Sequence, residues 1–596
     1  MRFLVILLAL AVSTRAVFAA DPPAALETRR NALNQLLNQR WEYTMRRSPI
    51  YASTLGDKRY NDKLDDFSQE AINNDLLQTR RFLERFEAID TINFPEQEKL
   101  NKDLMVRDLQ MDLERARFKP WEMPVTQENG VHLDAPQLVS ILSFENVKDY
   151  EDYITRLRLL PLWFDQTIAQ MRKGSADGRI PPKILLEKVA AQAGGIASTT
   201  AEKSPFSHPF YNFPDAIPSA TRNRLREAGL AAVKNCVLPA YVKFTAFVRD
   251  EYAPKGGTEP GAWALPDGTA WYAFRVKEST TTNLSPEEIH RIGLNQVKEI
   301  EGRMLSVVHQ LGYKGLDDFK AAVDADPKLH VHSPEQILDL YRRYEDQMYV
   351  KLPQLFGRLP KSKLDVRPVQ EFREKEAPGA EYVVGTPDGS RPGHIMVNTG
   401  YFAKRTVLDI ETTAYHEGVP GHHMQLSVAQ ELGDLPLFRQ QEDYKAYTEG
   451  WALYSEKLGT EVGFYQDPYS YYGHLQEDLL RAIRLVVDTG FHYKHWTRQQ
   501  VVDYFHAHSA IDEVTVQSES DRYMAWPGQA LSYKIGELEI LKLRQYAKDE
   551  LKDRFDLRAF HDEVLSGGAL PMDALRERIY EWVGQQKTQT GLKKGW

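Results

Sequence analysis

Along the first third of the chain, apolar residues return every three or four positions, as in Leu33, Leu36, Leu37 and Trp41, in Leu76, Leu77, Phe82, Leu83 and Phe86, and in Tyr153, Leu157 and Leu160. This spacing places them on one face of a helix, so residues 24–197 are predicted to be helices packed on one another. Stretches punctuated by Gly and Pro at 56–67, 119–129 and 174–182 are the predicted loops. The Pro-, Phe- and Ser-rich run 203–218 and the Gly- and Pro-rich run 253–267 read as connectors or surface lids. A domain limit is placed near the second, dividing an N-terminal helical lobe (20–265) from a C-terminal lobe (266–596). Trp271 to Lys277 alternates after Asp267-Gly268 and predicts a strand following a turn. Ser285-Pro286-Glu287-Glu288 combines an N-cap, a Pro at the first helical position and a capping-box acid, and opens a helix running toward His309. Three candidate strands follow, 364–372, 381–385 and 394–398, separated by turn residues. Helical spacing then resumes, and Pro527 fits the first turn of a helix that sets Gln529 and Tyr533 on one face. The predicted fold class is mainly α, with a small β-sheet ahead of the helix at residue 416.

Composition narrows the function. With 596 residues, 42% hydrophobic and 27% charged, the chain can bury a large core, and disorder is excluded. A net charge of −9 and the lack of any long Lys/Arg run argue against nucleic acid as partner. Residues 1–19 read as a signal peptide, with Arg2 ahead of the apolar run 3–12 and Val17-Phe18-Ala19 at the cleavage site. This predicts a periplasmic or secreted protein with no membrane span, since no later stretch is apolar for 18 residues and no Cys follows the leader to take a lipid. Cys236 is the only cysteine, so no internal disulfide forms, and it is expected to be a small core residue.

The densest chemistry lies at His416-Glu417-Gly418-Val419-Pro420-Gly421-His422-His423. In the helical motif His-Glu-x-x-His, imidazoles at i and i+4 bind zinc and the Glu is general base. Here Pro420 stands where the second His belongs. On an unbroken helix a His seven positions on would lie about 10.5 Å along the axis, too far to share one metal. Pro420-Gly421 predicts a bulge or kink that returns His422 or His423 toward His416. Glu449 sits within an aromatic helical pattern of Tyr444, Tyr447, Trp451 and Tyr454, where a carboxylate is costly unless paired or metal-bound. Two His and one Glu are a common catalytic zinc set, so one Zn2+ per chain is expected. Arg484, Asp488 and His492 recur at four-residue spacing, either as plain helix ion pairs or with His492 offered to an oxyanion.

These segments, with Glu449-Gly450-Trp451-Ala452-Leu453-Tyr454, Arg484-Leu485-Val486-Val487-Asp488-Thr489-Gly490 and Pro527-Gly528-Gln529-Ala530, resemble the bacterial domain-of-unknown-function family 885 across most of the mature chain. That family is distantly similar to helical zinc peptidases such as thermostable carboxypeptidases, thimet-type oligopeptidases and angiotensin-converting enzyme. The resemblance implies a two-lobed helical shell around a deep cleft. His416 would be the first ligand, Glu417 the general base and Glu449 the third ligand, with His422 preferred over His423 as the second. Tyr533, then His492, would stabilise the oxyanion, and Arg522 and Asn398 are candidate substrate-binding residues. The expected function is a zinc-dependent peptidase acting on short or unfolded peptides. The alternatives are a zinc hydrolase of a non-peptide ester or amide and a metal-containing binding protein without turnover. No Gly-x-Ser-x-Gly elbow occurs, which argues against a serine hydrolase.

Overall fold

A computed structural model describes residues 23–370, 374, 377–386, 389, 391–400 and 402–589; the leader read at 1–19 lies outside them. The fold is mainly α, as the periodicity predicts. Helices Pro23–Arg47, Gln69–Glu87 and Glu96–Ala116 bury Leu33, Leu36, Leu37, Phe82, Phe86, Met105 and Leu109 in one cluster. Ser68 caps the second by accepting the Ala71 N–H. Val147–Ala176, Lys183–Ala197 and the helical run 219–247 build a larger aromatic core around Tyr153, Phe164, Tyr241 and Phe244.

Three expectations are corrected here. Phe206 and Phe210 are fully buried in that core, so of the two readings of 203–218 the connector holds, as a packed link between two helices, and the surface lid does not. Cys236 is half-buried and does not belong to the core. Trp271–Lys277 is not a strand but lies within helix Gly268–Thr280. Tyr272 and Val276 satisfy a period of 3.6 as well as a period of two, and both are buried with Ser279 and Thr280 on one helical face.

Helix Pro286–Gln310 opens on the expected capping box of Ser285 and Glu288. It packs closely along Pro468–His492, where a side chain at Gly293 would meet Val486 and Leu485 at 2.8 Å. The strands are β1 (Leu364–Pro368), β2 (Ala380–Val383) and β3 (Gly393–Val397), in the order β1-β3-β2, with β1 parallel and β2 antiparallel to β3. β1 ends sooner than the sequence suggests, and Phe372 lies outside the described residues.

After the sheet come Ile410–Glu417, His422–Gln430, Lys445–Glu461, Leu531–Leu551 and Met572–Gln589. Tyr415, Trp451 and Tyr454 share a core with Ile540, Leu543, Leu575, Ile579 and Val583, and with Leu104 from the N-terminal part. Gly450 and Gly536 let two of these helices meet backbone to backbone, since an added Cβ at Gly450 would lie 2.5 Å from Gly536. The last long helix pair is also joined to Pro468–His492 by buried charge: Lys534 donates to Asp478 at 2.5 Å and pairs with Glu537 at 2.8 Å. Pro527 falls outside the helix it was expected to start, which begins at Leu531. Residues 527–530 form a turn with Gly528 at φ +79°.

Candidate functional site

The helix carrying His416 stops at Glu417, and a new one begins at His422. The connecting turn is clamped on both sides. The Val419 N–H donates to Glu345 Oε2 at 2.9 Å from helix Pro334–Leu355, and Trp451 Nε1 donates to the Pro420 carbonyl at 2.9 Å. No side chain fits at Gly421, where a Cβ would stand 2.0 Å from the His416 carbonyl oxygen, and one at Gly418, 2.0 Å from Glu345 Oε1, would displace the carboxylate that holds the turn.

This break brings the two imidazoles together with ring centroids 4.8 Å apart and planes at 89°. Glu449 Oε2 lies 3.4 Å from His422 Nε2 and 3.8 Å from His416 Nε2. Glu417 completes the set: one ligand atom from each of His416, Glu417 and His422 falls within 4.8 Å of the others, the one such metal-capable group among the described residues. His423 turns the other way, is fully buried, and places Nδ1 2.9 Å from the Tyr382 hydroxyl of β2.

A residue missed by sequence reasoning fixes the His416 ring. Glu456 Oε1 accepts from His416 Nδ1 at 2.8 Å, leaving Nε2 for the group, and its Oε2 accepts from the Thr412 hydroxyl at 2.8 Å. His474 and Arg481 flank the same carboxylate at 3.6 and 3.9 Å. Glu456 follows Glu449 by seven positions and so faces the same way on Lys445–Glu461, the one signal that could have found it.

The electrostatics follow from burial and these contacts. Burial pushes His416 down, but hydrogen bonds to Glu449 and Glu456 outweigh it and lift the imidazole to about 10. Burial pushes Glu449 up, and its bonds to His416 and His422 hold it well below the ordinary carboxylate range instead. Glu417 is raised by burial against the pull of the two histidines, so of the two carboxylates Glu417 and Glu449 it is the one suited to hold a proton.

The remaining candidates fall elsewhere. Tyr533 lies under the Arg484 guanidinium, 4.7 Å from the ring centre, and its hydroxyl meets Arg522 Nη2 at 3.3 Å. Helix Leu531–Leu551, which carries Tyr533, meets helix Lys445–Glu461, which carries Glu449, backbone to backbone at Gly536 and Gly450. Arg522 is held by Glu519 at 3.1 Å and Gln529 at 2.9 Å. His492 offers nothing to an oxyanion: Nδ1 accepts the Ala262 N–H at 2.9 Å and Nε2 meets the Tyr523 carbonyl at 2.9 Å. Asn398 is likewise committed, donating to the Glu374 and Ala377 carbonyls at 2.8 and 2.9 Å and accepting the Gly400 N–H at 3.0 Å. Both were plausible only because polar side chains bonded to backbone look free in a sequence.

Comparison with known proteins gives a consistent picture. A crystal structure described as that of a "putative lipoprotein" from Colwellia psychrerythraea matches with a TM-score of 0.90 and 30% identity, over 94% of this chain and 99% of that one. A Shewanella oneidensis structure with the same description, of unknown function, matches with a TM-score of 0.71 and 16% identity, over 91% and 99% of the two chains, and shows likeness of fold. No curated protein matches the sequence. Among the described residues no helix is long and apolar enough to cross a membrane. The family model for a bacterial protein of unknown function, DUF885, matches residues 49–579, and the chain belongs to that family.

Proposed function

We propose that this chain is a zinc-dependent peptidase acting on short or unfolded peptides outside the cytoplasm. The observation that carries the reading is the convergence of His416 Nε2, His422 Nε2 and Glu449 Oε2, with Glu449 at 3.4 and 3.8 Å from the two nitrogens. Ligand atoms about 2.0–2.2 Å from a tetrahedral zinc stand roughly 3.4 Å from one another, and the two Glu449 separations lie near that spacing. Glu456 on His416 Nδ1 supplies the outer carboxylate that usually orients a metal-bound imidazole. Zinc held there would acidify a water and polarise a peptide carbonyl. With the metal bound, Glu417 would serve as the base that accepts a proton and returns it to the leaving amine, a role its burial suits by keeping its proton affinity high. Tyr533, beside Arg484 and Arg522, is the donor on the Glu449 side for the developing oxyanion. Clamping of the Gly418–Gly421 turn by Glu345 and Trp451 keeps the ligands in register through the cycle.

The test is metal analysis of the purified protein together with peptide and ester hydrolysis. Zinc at about one per chain is expected. Glu417→Gln should keep that zinc and lose at least about a hundredfold in peptide turnover. Turnover undiminished in Glu417→Gln sinks the mechanism, and ester cleavage with peptides untouched replaces the substrate class.

A further inference from the structure

The Asp488–His492 helix face and the turn at 527–529 take no part in the His416 group, yet both are tied down by buried bonds. His492 holds the Ala262 N–H and the Tyr523 carbonyl. Asp488 accepts the Tyr272 hydroxyl at 2.7 Å and the Gly528 N–H at 3.0 Å. Arg275 Nε donates to the Pro527 carbonyl at 3.2 Å, and Trp526 Nε1 donates to Asn129 Oδ1 at 3.1 Å. Ala262, Arg275, Pro527, Trp526 and Asn129 all border one cavity of about 620 Å³. A buried acid and a buried imidazole committed to backbone groups give loop segments a fixed shape that they would not hold alone. The walls of this cavity are therefore built, not incidental.

The lining has two characters. Trp271, Trp526, Met123, Pro124 and Leu185 make it apolar, while three cations, Arg115, Arg275 and Lys255, outnumber the single acid, Glu259. Both arginines donate to Glu278, Arg115 through Nε at 2.6 Å and Arg275 through Nη1; Arg115 Nη1 also donates to Asp112 at 2.7 Å, and Nη2 of each has no bond to another described residue. The same two residues line a neighbouring cavity of about 490 Å³ that includes Gln529 and Lys445, four residues before Glu449. Volumes of about 300–1,000 Å³ with apolar walls and a few fixed polar groups are those of small-ligand sites.

We propose that the larger cavity binds an amphiphilic carboxylate, with an apolar or aromatic body between Trp271 and Trp526 and its carboxylate on Arg275 and Arg115. This is the chemistry of a hydrophobic residue at a peptide C-terminus or of a free aryl acid. The site does not rest on the metal reading and is tested apart from it. Calorimetric titration and tryptophan fluorescence on the full chain, chelator-treated and zinc-loaded, would use N-acetyl-alanyl-phenylalanine, its C-terminal amide, phenylpropionate and N-acetyl-glycyl-glycine. The free acid should bind equally well with and without metal, and the amide and the glycine peptide at least about tenfold more weakly. Phenylpropionate binding as well as the peptide marks free acids as the ligand, and weaker binding marks peptides; both support the site. Arg275→Gln should bring the acid down to the amide's level, and Ala264→Trp, at an exposed rim position, should weaken every probe. Saturable binding that vanishes on chelation, no saturable binding by any probe at millimolar concentration, or binding unchanged in both variants overturns the proposal.

Discussion

At the scale of residues, the two adjacent histidines show how one position decides a role. His422 faces Glu449 at 3.4 Å, while His423 is sealed against Tyr382 and pushed to about 4 by burial. His422→Ala should therefore lower zinc affinity by at least about a hundredfold, and His423→Ala by far less, as read by competition with a chelating dye. The reverse order would put His423 among the ligands. The nearness of His416, Glu417 and Glu449 was legible because few packing arguments put such residues together. The sequence left His422 and His423 open, because the direction of a side chain after a Pro-Gly turn depends on what clamps the turn. Glu345 and Trp451, the two clamps, come from elements 74 and 31 residues away. Glu456 was missed because a carboxylate supporting a ligand has no spacing rule of its own.

At the scale of elements, Pro468–His492 works as a spine whose inward polar residues each hold a different neighbour. One of its buried acids, Asp488, is pushed up to about 7 by burial, against the opposing pull of the Tyr272 hydroxyl and Gly528 N–H. An unfolded chain releases this proton near pH 4, while the fold keeps it to about 7. The acid's contribution to stability is thus fully present below pH 4, falls as the pH rises toward 7, and is level beyond. Asp488→Asn, which keeps an acceptor oxygen for both donors, should gain stability relative to the parent across pH 4–7, seen in chemical melts at a series of pH values. A difference that does not change with pH would show that Asp488 is ionised throughout. Helix existence was legible along most of the chain, and so was the three-strand sheet. The misread element, Gly268–Thr280, buries Phe274 as well as Tyr272 and Val276, so its burial satisfies two periods at once. Only packing against Asp488 and His492 separates them.

At the scale of the whole molecule, the N- and C-terminal parts share cores. Leu104 packs with Trp451 and Ile579, Leu185 with Val297 and Val486, and Phe438 with Leu33 and Phe86. Arg439 reaches Asn101 at 3.0 Å, and Arg107 pairs with Asp573 at 2.8 Å. Scanning calorimetry should accordingly give one cooperative transition, and separate melting of 20–265 would show that the two lobes read in the sequence are autonomous. That sharing was not legible, because it joins residues hundreds of positions apart that carry no mutual pattern. The core behind Trp451 also sets an order in time. Leu575, Ile579 and Val583 belong to it, and they are made more than a hundred residues after Glu449. A nascent chain carries His416, His422 and Glu449 without this side of their core until those residues emerge, on the order of ten seconds later at ordinary elongation rates. For that interval the core behind Trp451 stands open on one side, and helix Met572–Gln589 closes it after the histidine pair has already been made.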